Sequence, residues 1–242
     1  MCGCFLGGCL LRFLFLVAAS LAALSLGGCA AGGSPIVQSI QALAGTGGTG
    51  VAKDAIPDAP DLRFSYLRVQ VPGHPPGLMV LGYVDQDPAG PVEVWYSANR
   101  ETLRLQNGRV ISSTGTEQDW SAVQFVPAPP AWPSVTEVGA SFTRQHDAMP
   151  GYRFGIREQM KVHTWPGLPS VALPDTLPAE KAASYRWYRE SVLPLPGQTA
   201  LPDAWFAWGK HRGVNQIVYS EQCLSPDFCL KLQRWPLLEE AN

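Results

Sequence analysis

Alternating apolar and polar positions, interrupted by turn residues, run through the chain from residue 64 onward. The clearest block covers residues 78–114. Its segments 92–97 and 102–106 alternate with a period of two, the spacing of a β-strand with one buried face. The dipeptide Asn107-Gly108 tolerates positive φ at both positions, as a two-residue hairpin turn requires, and residues 109–113 follow as the returning strand. The block therefore predicts antiparallel hairpins.

Similar segments occur at the start of this block and on both sides of it. Further strands are predicted at residues 64–71, 78–84, 119–126, 135–144, 152–165, 185–192, 205–210, 214–222 and 230–235. Residues 185–192 suit a helix by composition, but their aromatic side chains and strand-rich surroundings favour a strand. About ten strands, with turn signals about every 8–12 residues, predict an all-β fold, either an antiparallel β-sandwich or a half-open barrel built from consecutive hairpins.

The first 28 residues have the pattern of a lipoprotein signal peptide. Arg12 carries their lone side-chain charge, and the apolar run at 13–26 is shorter than the roughly 20 residues of a membrane-spanning helix. Leu26-Gly27-Gly28-Cys29 then gives the order aliphatic, small, small, cysteine, in which the thiol receives a diacylglycerol before the peptidase cleaves ahead of it. We therefore expect Cys29 to be lipidated; the alternative is an ordinary membrane anchor with a cysteine near its end.

The residues that follow Cys29 indicate the location and the layout of the mature chain. Ala30 stands where an Asp would suggest retention at the inner membrane, so the expected location is the outer membrane, with the domain facing the periplasm. Residues 29–60 are small and glycine-rich and are interpreted as a flexible tether. Residues 61–242 are expected to form a single antiparallel β domain, a length sufficient for a proper core.

Two cysteines remain after cleavage besides Cys29. Cys223 and Cys229 are separated by five residues, and an oxidising periplasm favours a disulfide between them. The bond would close a loop at residues 224–228, in which Ser225-Pro226-Asp227 has the composition of a turn. The alternative of a redox or metal-binding pair lacks both the CxxC spacing and nearby histidines.

The charge pattern argues against a polyanionic partner. The formal net charge is −2, and the arginines are scattered along the chain without a basic cluster. Nucleic acid is therefore excluded as an expected partner.

No catalytic motif stands out. The chain has no GxSxG, and its four histidines, among them His146 beside a predicted turn, share no metal-like spacing; His146-Asp147 is expected to be a solvated loop pair. A glycosidase would need two carboxylates across a cleft, and nothing in the sequence pairs two of the candidates. Those candidates are Asp85, Glu93, Glu101, Asp119, Glu158 and Glu190. No catalytic residue, metal or cofactor is predicted.

Tryptophans offer a different kind of candidate site. Indole faces beside Arg, Asp or Glu are suited to stack on sugar rings and hydrogen-bond them, although tryptophan also fills β-sheet cores. The candidates for contact with a glycan or a protein partner are Trp132, Trp187, Trp205 and Trp208. Trp205 and Trp208 are three apart and should point to opposite faces of a strand, one into the core and one outward. Asp119-Trp120 is instead expected to be a strand-start cap and a core residue.

Several of these segments resemble one family. The order LMVLGYVD at 78–85, an acidic loop, an alternating strand and then LQNGRV at 105–110 is similar to the YjbF/GfcB family of group-four capsule and exopolysaccharide lipoproteins. The block WFAWGKHRGVNQIVYSEQ at 205–222 resembles the family's C-terminal hairpin, residues 185–192 resemble another of its strands, and the lipobox-first layout is shared. The resemblance covers residues 64–222. The Cys223/Cys229 pair is not part of the family pattern.

The resemblance implies a mostly β outer-membrane lipoprotein, encoded with other polysaccharide-export proteins, that acts in assembly or secretion of a surface polysaccharide. It implies no catalytic residue. The leading hypothesis is a non-catalytic lipoprotein that works through polysaccharide-export proteins or direct binding of the exopolysaccharide, with exposed aromatics on a shallow groove or sheet edge. The alternative is a periplasmic polysaccharide-modifying or -cleaving enzyme, with two carboxylates about 5–10 Å apart in a cleft. A third hypothesis is a structural lipoprotein of envelope maintenance.

Overall fold

A computed structural model describes residues 60–193 and 200–237. These residues belong to one compact unit, Ser39–Asn242. The expected signal peptide, the lipidated Cys29 and the tether lie outside the described residues, so these assignments and the boundary at residue 60 stay predictions. No helix in the described part of the chain is long and apolar enough to cross a membrane.

Twelve strands make up nearly all of the described regular structure. They are β1 Tyr66–Gln70, β2 Gly77–Asp85, β3 Val92–Ser97, β4 Thr102–Gln106, β5 Arg109–Thr114, β6 Asp119–Val126, β7 Ala140–Met149, β8 Arg153–Trp165, β9 Arg186–Leu193, β10 Ala204–His211, β11 Val214–Ser225 and β12 Phe228–Trp235. A one-turn 3-10 helix, Trp132–Ser134, precedes β7, and a short helix α1, Ala179–Ala183, precedes β9.

All twelve strands join in one antiparallel sheet. The order is β5-β4-β3-β2-β1-β12-β11-β10-β9-β8-β7-β6, so only the pairing of β1 with β12 joins strands that are not consecutive in the chain. The sheet curls until its edge strands β5 and β6 contact each other, which makes a nearly closed barrel. This confirms the all-β prediction and, of its two alternatives, the half-open barrel made of consecutive hairpins.

The hairpin turn predicted at Asn107-Gly108 has the expected backbone. Asn107 and Gly108 have φ of 51° and 80°, as a type I′ turn requires. A Cβ on Gly108 would lie 2.6 Å from Cβ of Ile217, so glycine here also lets the turn approach β11 closely. Arg212 and Gly213 form a second two-residue turn, with φ of 51° and 79°, between β10 and β11.

One predicted strand begins in the wrong place. The segment 135–144 was expected to be extended throughout, but β7 begins only at Ala140. Val135 directly follows the 3-10 helix, is 2% exposed and packs with the aromatic residues inside the barrel. The apolar side chain that suggested a strand is therefore used for packing by a loop, and Gly139, with φ of 82°, then reorients the chain into β7.

Both faces of the sheet carry buried side chains, with two clusters on the inner face and one on the outer face. Inside the barrel lie two core clusters, one around Trp95 and Trp120 and the other around Trp132 and Phe206. Outside, the segment 166–185 with α1 covers a third cluster on β9, β10 and β11. Because successive residues of a strand face opposite sides, Trp187 lies in the outer cluster and Tyr188 in an inner one.

The two cysteines of the domain face each other across the hairpin of β11 and β12. Cys223 and Cys229 are paired in register, and their sulfur atoms are 1.98 Å apart, which is a disulfide bond. The closed loop contains the turn at Pro226 and Asp227. The bond therefore joins two neighbouring strands of the barrel.

Removing this disulfide is expected to have a moderate and local effect. A chain carrying both Cys223→Ser and Cys229→Ser should lose about 2 kcal/mol of unfolding free energy, because the bond restricts only a short loop of the unfolded chain. Urea unfolding of the oxidised protein and of the double variant measures the difference. Dithiothreitol should destabilise the unsubstituted chain equally and the variant not at all; equal sensitivity of both would contradict the assignment.

Candidate functional site

Four of the described ion pairs share one arrangement, in which an arginine binds a carboxylate beside a tryptophan ring. We call each of them an Arg–acid–Trp unit. They are Arg109–Glu190 with Trp132, Arg144–Glu158 with Trp120, Arg234–Glu93 with Trp95, and Arg189–Asp203 with Trp165 and Trp205. The first three lie inside the barrel, whereas the fourth lies on its outer face.

The first unit joins β5 to β9 across the barrel interior. Arg109 Nε donates to Glu190 Oε1 at 2.7 Å, and the guanidinium carbon is 3.9 Å from the centre of the Trp132 ring. The two charged side chains are only 5% and 3% exposed. Beside them, the amide of Gln222 accepts from Val110 N at 3.0 Å and donates to Gly108 O at 2.9 Å. A side chain of β11 therefore satisfies backbone groups of the edge strand β5 and of the turn before it.

The second unit includes a buried histidine. Arg144 Nε donates to Glu158 Oε2 at 2.7 Å, and Nδ1 of His146 is 3.5 Å from the same oxygen. The imidazole is 3% exposed and lies 4.2 Å from the Trp120 ring. Burial, together with the positive charges of Arg144 and Arg153, lowers the pKa of His146 to about 3. This histidine is therefore neutral near pH 7.

This position of His146 corrects the expectation of a solvated loop pair. His146 and Asp147 lie within β7. Three even-numbered positions of this strand, Phe142, His146 and Ala148, are buried because they face the interior. The neighbouring expectation for Asp119-Trp120 is confirmed: the Asp119 carboxylate accepts from Gly115 N and Thr116 N at 2.9 and 3.0 Å, and Trp120 is 2% exposed.

The third unit joins β12 to β3. Arg234 Nη2 donates to both oxygens of Glu93, at 2.8 and 2.6 Å, and Trp95 Nε1 donates to Glu93 Oε2 at 3.3 Å. Burial, with the positive charges of Arg234 and Arg212, lowers the pKa of nearby His211 to about 4. In the three inner units each charged side chain is thus bound to a partner of opposite charge.

The space between the first two units is small. A cavity lined by Arg109, Trp120, Arg144, Glu190 and Gln222, together with apolar neighbours, has room for about one water molecule. A saccharide ring cannot enter it without displacing these side chains. The buried carboxylates are therefore not arranged around a substrate cleft at this cavity.

The fourth unit lies on the outer face and is only partly covered. Arg189 Nε donates to Asp203 Oδ2 at 2.7 Å, and the two side chains are 34% and 29% exposed. Trp165 and Trp205 meet edge to face, with ring centres 5.0 Å apart. The guanidinium carbon of Arg189 is 5.7 and 5.9 Å from these two ring centres. Both indoles are half-buried.

Strand register brings these side chains together. His163 pairs with Arg189, and Arg189 pairs with Trp205, so the three residues form a row across β8, β9 and β10. Burial and the positive charge of Arg189 lower the pKa of His163. We call the surface formed by His163, Trp165, Arg189, Asp203 and Trp205 the outer aromatic patch.

Two of the tryptophans expected to contact a glycan or partner are buried, which removes them from the candidates. Trp132 is 2% exposed because its 3-10 helix packs it against the inner aromatics, and its Nε1 donates to Asn107 O at 2.8 Å. Trp187 is 1% exposed because α1 covers it, and its Nε1 donates to Ala182 O at 2.8 Å. Both indoles stabilise the fold.

The other two candidates lie on opposite faces of β10, as their spacing predicts. Trp205 belongs to the outer aromatic patch, and Trp208 packs at the margin of the inner cluster around Trp132. Both are half-buried, however, so the expectation of one core and one exposed side chain is wrong. Sequence reasoning missed Trp165, which only the pairing of β8, β9 and β10 brings to Trp205. It also missed Asp203, which is two residues before Trp205 but reaches Arg189 only through the pairing of β9 with β10.

Comparison with known proteins identifies the family to which this chain belongs. Residues 40–173, more than half of the chain, match the family described as group 4 capsule polysaccharide lipoprotein gfcB, YjbF, and the chain belongs to this family. Membership confirms the resemblance seen in the sequence and implies a membrane-anchored protein of the cell envelope with a role in capsule or exopolysaccharide. No curated protein matches the chain.

A solved structure shares the fold. The hypothetical lipoprotein YmcC from Escherichia coli K12 superposes with a TM-score of 0.55, over 93% of this chain and 95% of that chain, at 16% sequence identity. At this identity the likeness concerns the fold alone.

Among residues 60–193 and 200–237, no group of three or more His, Cys, Asp or Glu side chains is placed to hold a metal ion.

Proposed function

We propose that this chain is an outer-membrane lipoprotein, anchored through lipidated Cys29, that supports assembly or export of a capsule or exopolysaccharide without catalysing a reaction itself. Acyl chains on Cys29, at about 0.8 kcal/mol per buried CH₂, would hold the domain permanently at the membrane. The domain then acts through contact with polysaccharide-export proteins or with the polysaccharide.

The filled interior of the barrel is the observation that carries the non-catalytic part of this proposal. Each of Glu93, Glu158 and Glu190 is bound by an arginine, and the cavity beside Glu190 has room for about one water molecule. A glycosidase instead needs one carboxylic acid and one carboxylate on either side of a bound sugar. The family supports the link to capsule polysaccharide.

Complementation of a deletion strain tests the role and the anchor together. The strain lacking this gene should carry much less surface polysaccharide, and the unsubstituted gene should restore it. Cys29→Ser should fail to restore it and should remove the protein from the outer-membrane fraction. Cys9→Ser, in the expected signal peptide, is the matched control and should behave as the unsubstituted chain.

The outcome also distinguishes the competing hypotheses. The amount of surface polysaccharide and the length of its chains are measured separately. Less polysaccharide of unchanged chain length supports an assembly or export role. An unchanged amount with altered chain length would favour a polysaccharide-modifying enzyme, and full activity of Cys29→Ser would refute the anchor.

A further inference from the structure

We propose that the outer aromatic patch binds a pyranose ring within an extended chain of the exported polysaccharide. This inference rests on the proposed function and names the surface and the class of ligand through which it would operate. The patch is built from three adjacent strands and combines two indoles with an arginine, a carboxylate and a histidine.

The chemistry of the patch matches that of a sugar. A pyranose presents an apolar face of C–H groups, which packs on an aromatic ring, and a rim of hydroxyls, which need both donors and acceptors. Trp165 and Trp205 supply the aromatic surface. Arg189 donates in a plane and Asp203 accepts, and their mutual bond at 2.7 Å holds both at the edge of the indoles.

Stability alone does not account for the fourth unit. The first and third inner units join strands that are not neighbours in the sheet, and the second joins the paired strands β7 and β8. In all three units the side chains are more deeply buried than in the fourth, so removal of one partner would leave a charge with little access to water. Arg189 lies in β9 and Asp203 directly precedes β10, two strands that already pair through their backbones, and both side chains are about one-third exposed. An ion pair in that setting adds little to folding. The Arg189–Asp203 pair, with the two indoles beside it, is therefore available to bind a ligand on the outer face of the barrel.

The shape of the patch indicates which part of a polysaccharide it takes. The residues lie on the outward face of β8, β9 and β10, with His163, Arg189 and Trp205 side by side in register. Such a surface does not enclose a chain end. It fits an internal sugar whose neighbours continue along the sheet, so long chains should bind better than short fragments, through repeated contacts.

The test measures binding of the purified, lipidated chain in detergent to polysaccharide isolated from the producing strain. Trp205→Ala should weaken binding about tenfold, which corresponds to the loss of one aromatic stacking contact. Asp203→Asn keeps the size of the side chain and removes the charged acceptor, and it should weaken binding about fivefold. Thermal unfolding of each variant verifies that the barrel persists.

Two exposed aromatics elsewhere provide the matched control. Tyr152 and Phe154, at the turn between β7 and β8, are 76% and 66% exposed. Tyr152→Ala and Phe154→Ala should leave binding within about twofold, although they remove comparable aromatic surface. An equal loss in the patch variants and in these controls would overturn the assignment to the patch.

Three further outcomes separate this inference from the proposed function. If Trp205→Ala and Asp203→Asn bind as the unsubstituted chain does, or if that chain binds no polysaccharide, the patch is not a saccharide site. The proposed function is tested independently by Cys29→Ser in cells, since Cys29 lies outside the patch. Folded patch variants that restore surface polysaccharide fully would likewise overturn the inference and leave the lipoprotein role intact.

Discussion

Arg109→Ala is expected to lower the free energy of unfolding by about 3–5 kcal/mol, because it leaves the Glu190 carboxylate buried without its partner. Glu190 is 3% exposed, and the guanidinium of Arg109 also covers the Trp132 ring at 3.9 Å. The substitution therefore removes an ion pair and a cation–π contact together. Urea unfolding at pH 7.5 measures the effect.

Two control variants determine whether the cost comes from the unpaired charge. The double variant Arg109→Met, Glu190→Leu removes both charges at similar volume and should recover most of the lost stability. Arg189→Ala breaks the half-exposed pair with Asp203 and should cost no more than about 1 kcal/mol. If Arg109→Ala and Arg189→Ala lowered the free energy of unfolding equally, the Arg109–Glu190 unit would not be the cross-link between β5 and β9 described above.

A fall in pH from 7.5 to 5 is expected to destabilise the domain strongly through two buried histidines. The folded-state pKa values of His146 and His211, about 3 and about 4, lie below the value near 6.5 of an unfolded chain. The unfolded state therefore binds more protons between these values. The stabilisation is complete above about pH 6.5, and about 2 kcal/mol per histidine is lost by pH 5.

His146→Gln tests this pH dependence. Glutamine does not titrate, so the loss of stability between pH 7.5 and pH 5 should shrink by about 2 kcal/mol relative to the unsubstituted chain. His74→Gln changes an exposed histidine and should leave the pH dependence unaltered. Unfolding free energies at both pH values measure the difference. The same slope in His146→Gln as in the unsubstituted chain would contradict a neutral, buried His146.

Strand positions were largely predictable because a strand at a barrel wall has one face in the core and a period of two. The boundaries of β3, β4 and β6 agree with the prediction at every residue. The type I′ turn at Asn107-Gly108 was also predictable, because its backbone conformation depends on those two residues alone. The displaced start of β7 shows the limit: Val135 has a strand-like side chain, but the cluster that it joins includes Tyr188 and Phe206, which are far away in sequence.

Candidate contact residues were harder to predict, because the accessibility of an indole depends on what covers it. Trp132 and Trp205 look alike in sequence, each beside apolar neighbours. The first packs on Tyr188 and Phe206 inside the barrel, and the second meets Trp165 on the outside. No local pattern distinguishes these environments.

By itself the sequence determined the all-β class, the hairpin order, the family resemblance and the expected lipobox, since each depends on residues close together in the chain. Only the tertiary structure decided which charges pair across the interior, which tryptophans are buried and which residues form the outer aromatic patch. Arg109 and Glu190 are 81 positions apart, and Trp165, Arg189 and Trp205 meet only through strand register. Such contacts arise when the sheet curls and closes, and alternation along a single strand carries no information about them.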